Sequence, residues 1–217
     1  FQVALSVTLL VAAALLGRSL MRLKAIDPGF RPNNLLTARI ELTGDAYTEP
    51  ASMVRFFTEF TDEVRAVPGV TAASAVNYLP IIDPVSNIPV WDADRPTGDG
   101  KALTPAFRRR VLPSYFDAMG IPLVAGRDLD EADTVSGRAP VAVISQSLAR
   151  RLFPTSAPLG RRVAIGIPGG PPPIVAEVVG VVGNAAVNRL TRVDAPALYV
   201  PYQAASRAGL RLVVRTS

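Results

Sequence analysis

Four carboxylates fall within six residues at Asp128, Asp130, Glu131 and Asp133, in the run RDLDEAD. Oxygen ligands at that density could hold a hard cation such as calcium. The run lacks the central glycine turn and the distal bidentate glutamate of a calcium-binding loop. A solvated turn in which Asp130 or Asp133 caps a helix is therefore the preferred reading. The chain has no cysteine and no histidine, which removes thiol nucleophiles, Cys/His zinc sites and every Ser-His or Cys-His catalytic pair. Gly166, Gly169 and Gly170 are followed by three prolines that carry no amide donors, so the segment cannot cradle a phosphate. Gly180 and Gly183 follow an apolar run without a third glycine at dinucleotide spacing, and close packing explains them. Trp91 and the pair Tyr115-Phe116 could line a ligand pocket, but aromatics among apolar neighbours are more often core. Nothing singles out two carboxylates for general acid–base work. No residue is assigned a catalytic, cofactor-binding or metal-binding role.

Charge placement narrows the class further. The 23 Lys+Arg exceed the 18 Asp+Glu by five. Residues 1–33 hold Arg18, Arg22, Lys24 and Arg31 against Asp27 alone, a net +3 that leaves +2 for the other 184 residues. A nucleic-acid binder needs a concentrated basic face, and the one dense run, Arg108-Arg109-Arg110, would alternate faces in a strand. No nucleic-acid partner is expected. With 49% hydrophobic residues, the chain can bury a core of ordinary domain size.

The first segment, Phe1 to Gly17, carries no charge, and its Ser6 and Thr8 hydroxyls can bond back to helix carbonyls. With Leu20, Met21 and Leu23 continuing the apolar pattern, it reads as one spanning helix in residues 1–26. A cleaved signal peptide would carry its basic residues before the apolar run, and here they follow it. A chain that opens on Phe1 in mid-helix reads as an excerpt of a longer protein.

Beyond the Asp27-Pro28-Gly29 breaker, Leu35–Leu42 alternates as a strand. Thr48 can cap a helix that reaches Val67, with Met53, Phe56, Phe57, Phe60 and Val64 on one face. Pro68-Gly69 stops it, and Val70–Val76 completes a βαβ unit. A second such unit comprises a strand at Pro140–Ile144, a short helix capped by Ser145, and the β-branched run Ile174–Val182, which suits a strand buried on both faces. Between the halves 35–78 and 140–217, residues 79–139 read as an inserted, smaller β-rich subdomain. It has strands at Ile88–Trp91 and Ala106–Leu112 and a helix at Ser114–Met119. Gly166–Pro173 is a hairpin tip or loop, and Leu210–Arg215 a closing strand. The expected class is α+β: a transmembrane helix, then a split-βαβ mixed sheet in residues 34–217.

The ordered words of the sequence carry more than any one of them. They are LLGRSLMRL, DPGF at Asp27–Phe30, NNLLTARIEL, VPGV at Val67–Val70 and SYFDAMGIPLVAGRDLDEAD at Ser114–Asp133. VAVISQSLARRLFP, PLGRRV, VVGVVGN at Val178–Asn184 and ALYVPY at Ala197–Tyr202 follow. In this order and spacing the chain, from about Gln2 to Thr216, resembles the periplasmic core domain of MacB/FtsX-type ABC transporter permeases. The resemblance implies a non-catalytic extracytoplasmic domain of a permease in the cell inner (cytoplasmic) membrane, with residues after about 26 outside. That domain would transmit ATP-driven motion for export or periplasmic work. The implied partners are a cytoplasmic ABC-type ATPase subunit or domain and the lipid bilayer; a second permease copy and a periplasmic partner are compatible with it. No cofactor is implied. Gly120, Gly126, Gly160 and Gly183 would serve turns, and Arg127 a structural ion pair. Arg18, Arg22 and Lys24 on the outer side run against the usual cytoplasmic excess of basic residues, which in a multi-span protein is set by all helices together. The competing reading is a singly anchored extracytoplasmic binding or sensor domain that uses 79–139 as its recognition surface.

Overall fold

The computed structural model describes residues 1–24, 26–47, 49–83, 87–95, 103–135, 137–187, 194–202 and 209–217. Helix α1, Gln2–Lys24, is the one helix among them long and apolar enough to cross a membrane. None of its most apolar stretch is buried against the rest of the chain, and the Ser6 and Thr8 hydroxyls donate to the Gln2 and Ala4 carbonyls, which hides them from an apolar solvent.

Strand β1 (Leu35–Glu41), helix α2 (Pro50–Arg65) and strand β2 (Val70–Val76) follow as expected. Both strands pair antiparallel with the last strand, β10 (Gly209–Thr216). They therefore run parallel to each other with β10 between them, which is the split arrangement. Alanines at Ala73 and Ala75 leave room for α2, whose Phe57 and Phe60 pack among Ala73, Ala75, Leu210, Leu212 and Val214. Pro50 suits the first helical position, where its missing amide costs nothing. Thr48, expected as the cap, lies outside the described residues; Glu49 stands at the N-cap without a side-chain bond. The helix ends at Arg65, two residues before the expected stop.

Strands β3 (Asn87–Asp92) and β4 (Thr104–Val111) and helix α3 (Tyr115–Met119) match the expected elements within two residues. Strand β5 (Leu123–Gly126) was not foreseen. Next come β6 (Val141–Ser145), α4 (Gln146–Leu152), β7 (Arg162–Ile165), β8 (Ile174–Val182) and β9 (Ala197–Pro201). Ser145 accepts from the Leu148 amide as the expected cap of α4. β7, also unforeseen, turns 166–173 into a hairpin loop leading to β8, and β6 and β8 pair directly in parallel.

The pairings close on themselves: β3, β4, β9, β6, β8 and β7 form a six-stranded ring. All six strands contribute to one cluster that includes Val90, Ala106, Ile144, Val163, Val178 and Leu198, which Leu148 and Leu152 of α4 complete. A second cluster joins Tyr115, Phe116 and Met119 of α3 to Val76, Tyr199 and Val213, with Phe30 packed against it. Ring closure removes free sheet edges. It also ties β3 and β4, from segment 79–139, to the strands of 140–217.

Candidate functional site

At the end of the domain next to α1, the segment Asp27–Asn34 is strapped to the fold by bonds to three elements. The Asp27 carboxylate accepts from the Gly29 amide, 2.8 Å, closing an Asx turn. The Pro28 carbonyl accepts from the Ala186 amide at 2.7 Å, and the Arg31 amide donates to the Met119 carbonyl at 2.9 Å. Arg215, on β10, donates from each guanidinium nitrogen to a carbonyl: Nε to Ala118 (2.8 Å), Nη1 to Asn33 (3.1 Å) and Nη2 to Arg31 (2.8 Å). Charged donors make the stronger hydrogen bonds, and a fork aimed at three carbonyls fixes direction as well as distance. Thr216 adds its amide to the Asn34 carbonyl at 3.0 Å.

Only glycine fits at position 29. Its φ is +74°, and a Cβ there would stand 2.0 Å from the Asn184 carbonyl oxygen and 2.9 Å from the Ala185 Cα. Both obstacles are backbone and cannot swing aside. The strap is thus pressed onto the Gly183–Ala186 turn that leaves β8. From there the contacts run inward, since the Asn184 side chain accepts from the Ser147 amide at the start of α4 at 2.8 Å. Ser147 in turn donates to the Ala195 carbonyl at 3.1 Å.

Beside the strap opens a cleft of about 830 Å³, lined in part by Asp27, Phe30, Arg31, Phe116, Asp117, Ile121, Leu123, Asp128, Gln146 and Asn184. Asp128 is the carboxylate of the acidic run that turns into it. Burial, with a contribution from the nearby Asp117 charge, pushes its pKa from 3.8 up to about 6, against the pull of the Leu129 amide and Arg127. Asp130 and Asp133 turn away from the cleft into a closed knot, and Glu131 is exposed. Asp130 and Asp133 form a reciprocal capping box around Glu131–Thr134. Arg127 grips Asp133 with two bonds of 2.6 and 3.0 Å and reaches Asp130 at 3.3 Å. Burial raises the Asp133 carboxyl, but Arg127 and the Asp130 amide outweigh it and hold it below its ordinary value. Among the described residues no group of three such side chains is placed to hold a metal ion.

Asp128 makes a pH prediction. The folded chain binds this proton more tightly than the unfolded chain, so the stability it confers is full below about pH 4 and is lost as pH rises through about 6. Asp128→Asn keeps an acceptor for the Leu129 amide and removes the cost. At pH 7 we expect it to be more stable than the parent by about 1–2 kcal/mol after solvent screening, with no difference at pH 4. Denaturant unfolding at both pH values measures this; equal stabilities at pH 7 would refute it.

Tyr115 and Phe116 lie in the core, at 0% and 2% exposure, and Phe116 also walls the cleft. The arginine triplet alternates as foreseen, with Arg108 and Arg110 half-buried. The full burial of Arg109 was not foreseen. It is 0% exposed; its Nε donates to the Tyr78 carbonyl and its Nη2 to that of Val187, both at 3.2 Å. No carboxylate among the described residues pairs with it; its Nη1 and the Tyr115 hydroxyl meet no well-aligned partner there, and the guanidinium lies close enough to the Tyr199 hydroxyl to favour that phenol's ionised form. Burial raises both neighbouring phenols, Tyr115 and Tyr199, above their ordinary value. Arg109 thus ties the loop after β2 to Val187, one residue from the amide that holds the strap.

Residues 3–217 match the family described as the MacB-like periplasmic core domain. A curated relative, the macrolide export ATP-binding/permease protein MacB of Shewanella sp. (strain W3-18-1), is 34% identical over 94 residues, 43% of this chain and 14% of its own length. The chain therefore spans a small part of that relative. Its fold is similar to the periplasmic region of MacB from Actinobacillus actinomycetemcomitans (TM-score 0.54, 20% identity, covering 90% of this chain and 80% of that one). It is also similar to the extracellular domain of the noncanonic ABC-type transporter YknZ from Gram-positive bacteria (TM-score 0.51, 21% identity, covering 85% and 84%). At these identities the likeness is one of fold, and with a family match that runs almost from end to end, the chain belongs to the MacB-like periplasmic core domain family.

Proposed function

We propose that this chain is the non-catalytic extracytoplasmic part of an ABC transporter permease in the inner (cytoplasmic) membrane, with residues after about 26 on the outer side. In this role it relays conformational change, driven by a cytoplasmic ABC-type ATPase, to export or to periplasmic work. The observation that carries the reading is the strap. A helix that moves in the membrane displaces a separate domain only if the connecting segment resists bending, and Asp27–Asn34 is bonded along its length to three elements of the core. β1 and β10 add a geometric reason, since Leu35 pairs with Arg215. Chain entering from α1 and chain leaving along β10 thus share one end of the sheet. Because β3 and β4 share a ring with β6–β9, the proposed insert 79–139 moves with the half 140–217.

The side of the membrane is open to test, because these 217 residues hold no cysteine and any cysteine elsewhere in the parent protein can be replaced by serine first. Ser156 is exposed. In intact spheroplasts expressing the parent protein, Ser156→Cys is expected to react with a membrane-impermeant maleimide as fully as after lysis. Labelling only after lysis would place the domain in the cytoplasm and sink the proposal.

A further inference from the structure

The cleft beside the strap has an unusual charge arrangement for a surface that belongs next to a bilayer. Asp27, Asp117 and Asp128 line it with Arg31 and Arg215, and each nitrogen of the Arg215 guanidinium already donates to a carbonyl of the fold. The lining thus carries three carboxylates against two guanidiniums, an excess of one negative charge, and only the Arg31 head is left without bonds to the fold. Arg31 lays its aliphatic stem over Gly120, where a Cβ would come within 2.8 Å of its Cγ, and no described side chain pairs with its head. The apolar part of the lining comes from Phe116, Ile121 and Leu123, the last 45% exposed. A cation alone would leave Arg31 unused, and an anion alone would meet an excess of carboxylate. A ligand with an ammonium and a phosphate a few ångströms apart, attached to an apolar body, satisfies all three parts of the lining.

The location names the source. Asp27 follows Arg22, the last residue of the candidate span, by five positions, which is at most about 18 Å of extended chain. The headgroup layer adds several ångströms to each side of the hydrocarbon core. We propose that this cleft binds the aminoethyl-phosphate headgroup of a bilayer lipid, its primary ammonium donating to Asp128 and Asp117 and its phosphate lying on Arg31. The inference rests on the reading of α1 as a membrane span, and not on the direction of transport or on the ATPase. A trimethylated choline headgroup has no N–H to donate, and a glycerol headgroup has no cation, so both are poor fits. The raised proton affinity of Asp128 fits the same picture, because burial there outweighs the pull of Arg127 and an ammonium supplied by a ligand would offset that cost.

The test uses the full chain, α1 included, in nanodiscs holding equal parts phosphatidylethanolamine, phosphatidylcholine and phosphatidylglycerol. Native mass spectrometry then counts the lipids retained. Ethanolamine lipid is expected to be enriched about tenfold over each of the others, the ratio that corresponds to one net charge-assisted hydrogen bond. Asp128→Asn and Arg31→Met are each expected to bring the enrichment to within about twofold of the bulk composition. Asp128→Asn does so while making the fold more stable, a combination that damage to the structure cannot produce. Equal retention of the three lipids, or enrichment that survives both substitutions, would overturn the proposal. Displacement of the lipid by equimolar soluble glycerophosphoethanolamine would overturn the bilayer source in favour of a soluble ligand. Maleimide labelling at position 156 reads the side of the membrane independently, so failure of one proposal is distinguishable from failure of the other.

Discussion

Replacing Gly29 by alanine is expected to peel the strap from the domain while leaving the domain folded. Two costs add. A non-glycine residue at φ +74° pays about 1–2 kcal/mol for the left-handed backbone alone. The new Cβ would also lie 2.0 Å from a carbonyl oxygen that the β8 turn holds in place, a contact relieved only by moving one backbone from the other. We put the total at about 3 kcal/mol or more. That exceeds the net worth of the two nearest backbone hydrogen bonds, Ala186 to Pro28 and Arg31 to Met119, at about 1 kcal/mol each. The Ala186 and Arg31 amides are therefore expected to exchange with solvent about a hundredfold faster in Gly29→Ala, with ring amides such as Val178 unchanged. Unchanged exchange at Ala186 would show that the strap does not depend on this contact.

Arg109 gives the second large effect, and its two substitutions separate charge from volume. Arg109→Ala empties a site that is 0% exposed and removes the donors to the Tyr78 and Val187 carbonyls; the expected cost is about 4 kcal/mol. Arg109→Met fills most of the volume and removes a buried charge that has no carboxylate partner among the described residues. Val187 also keeps the Ile81 amide at 2.9 Å as a donor. Its expected cost is below about 1.5 kcal/mol, because the desolvation of the charge is recovered. Chemical denaturation of the two variants measures the difference. If methionine were as damaging as alanine, the guanidinium would be contributing net stability through a partner that these contacts do not include.

The sequence was most legible where periodicity is local. Phe57 and Phe60 on α2, the β-branched run of β8 and the Pro68-Gly69 stop all act within one element, and each was readable from residue types alone. β7 was missed because RVAI is four residues long and sits between turn-rich segments, and β5 because LVAG is as short and is followed by the acidic run. Ring closure was not legible at all, since it depends on β4 lying parallel to β9 some ninety residues later. The site was legible as words and illegible as a place. DPGF, the MGIP of SYFDAMGIPL and the VVGN that ends β8 stand far apart in the chain, yet Gly29, Met119 and Asn184 meet at the strap. Arg215 carried one usable signal: in the strand LRLVVRT, Arg211, Val213 and Arg215 share a face, and that face is the one Val213 turns toward α3. Its three carbonyl targets at residues 31, 33 and 118 had no signature. Asp128 stood out in RDLDEAD, but no sequence rule separates it from Asp130 and Asp133. The structure does, since Arg127 takes Asp130 and Asp133 and leaves Asp128 to the cleft.

The relay is tested most directly by hydrogen exchange of the strap amides in the parent permease, assembled with its ATPase in a bilayer and held first with ADP and then with a non-hydrolysable ATP analogue. A rigid connection requires Arg31, Ala186 and Thr216 to remain protected at least about a hundredfold over free chain in both states. Exchange of these amides at free-chain rates in either state would mean that the strap lets go during the cycle, and motion of the helix could not then be passed to the domain.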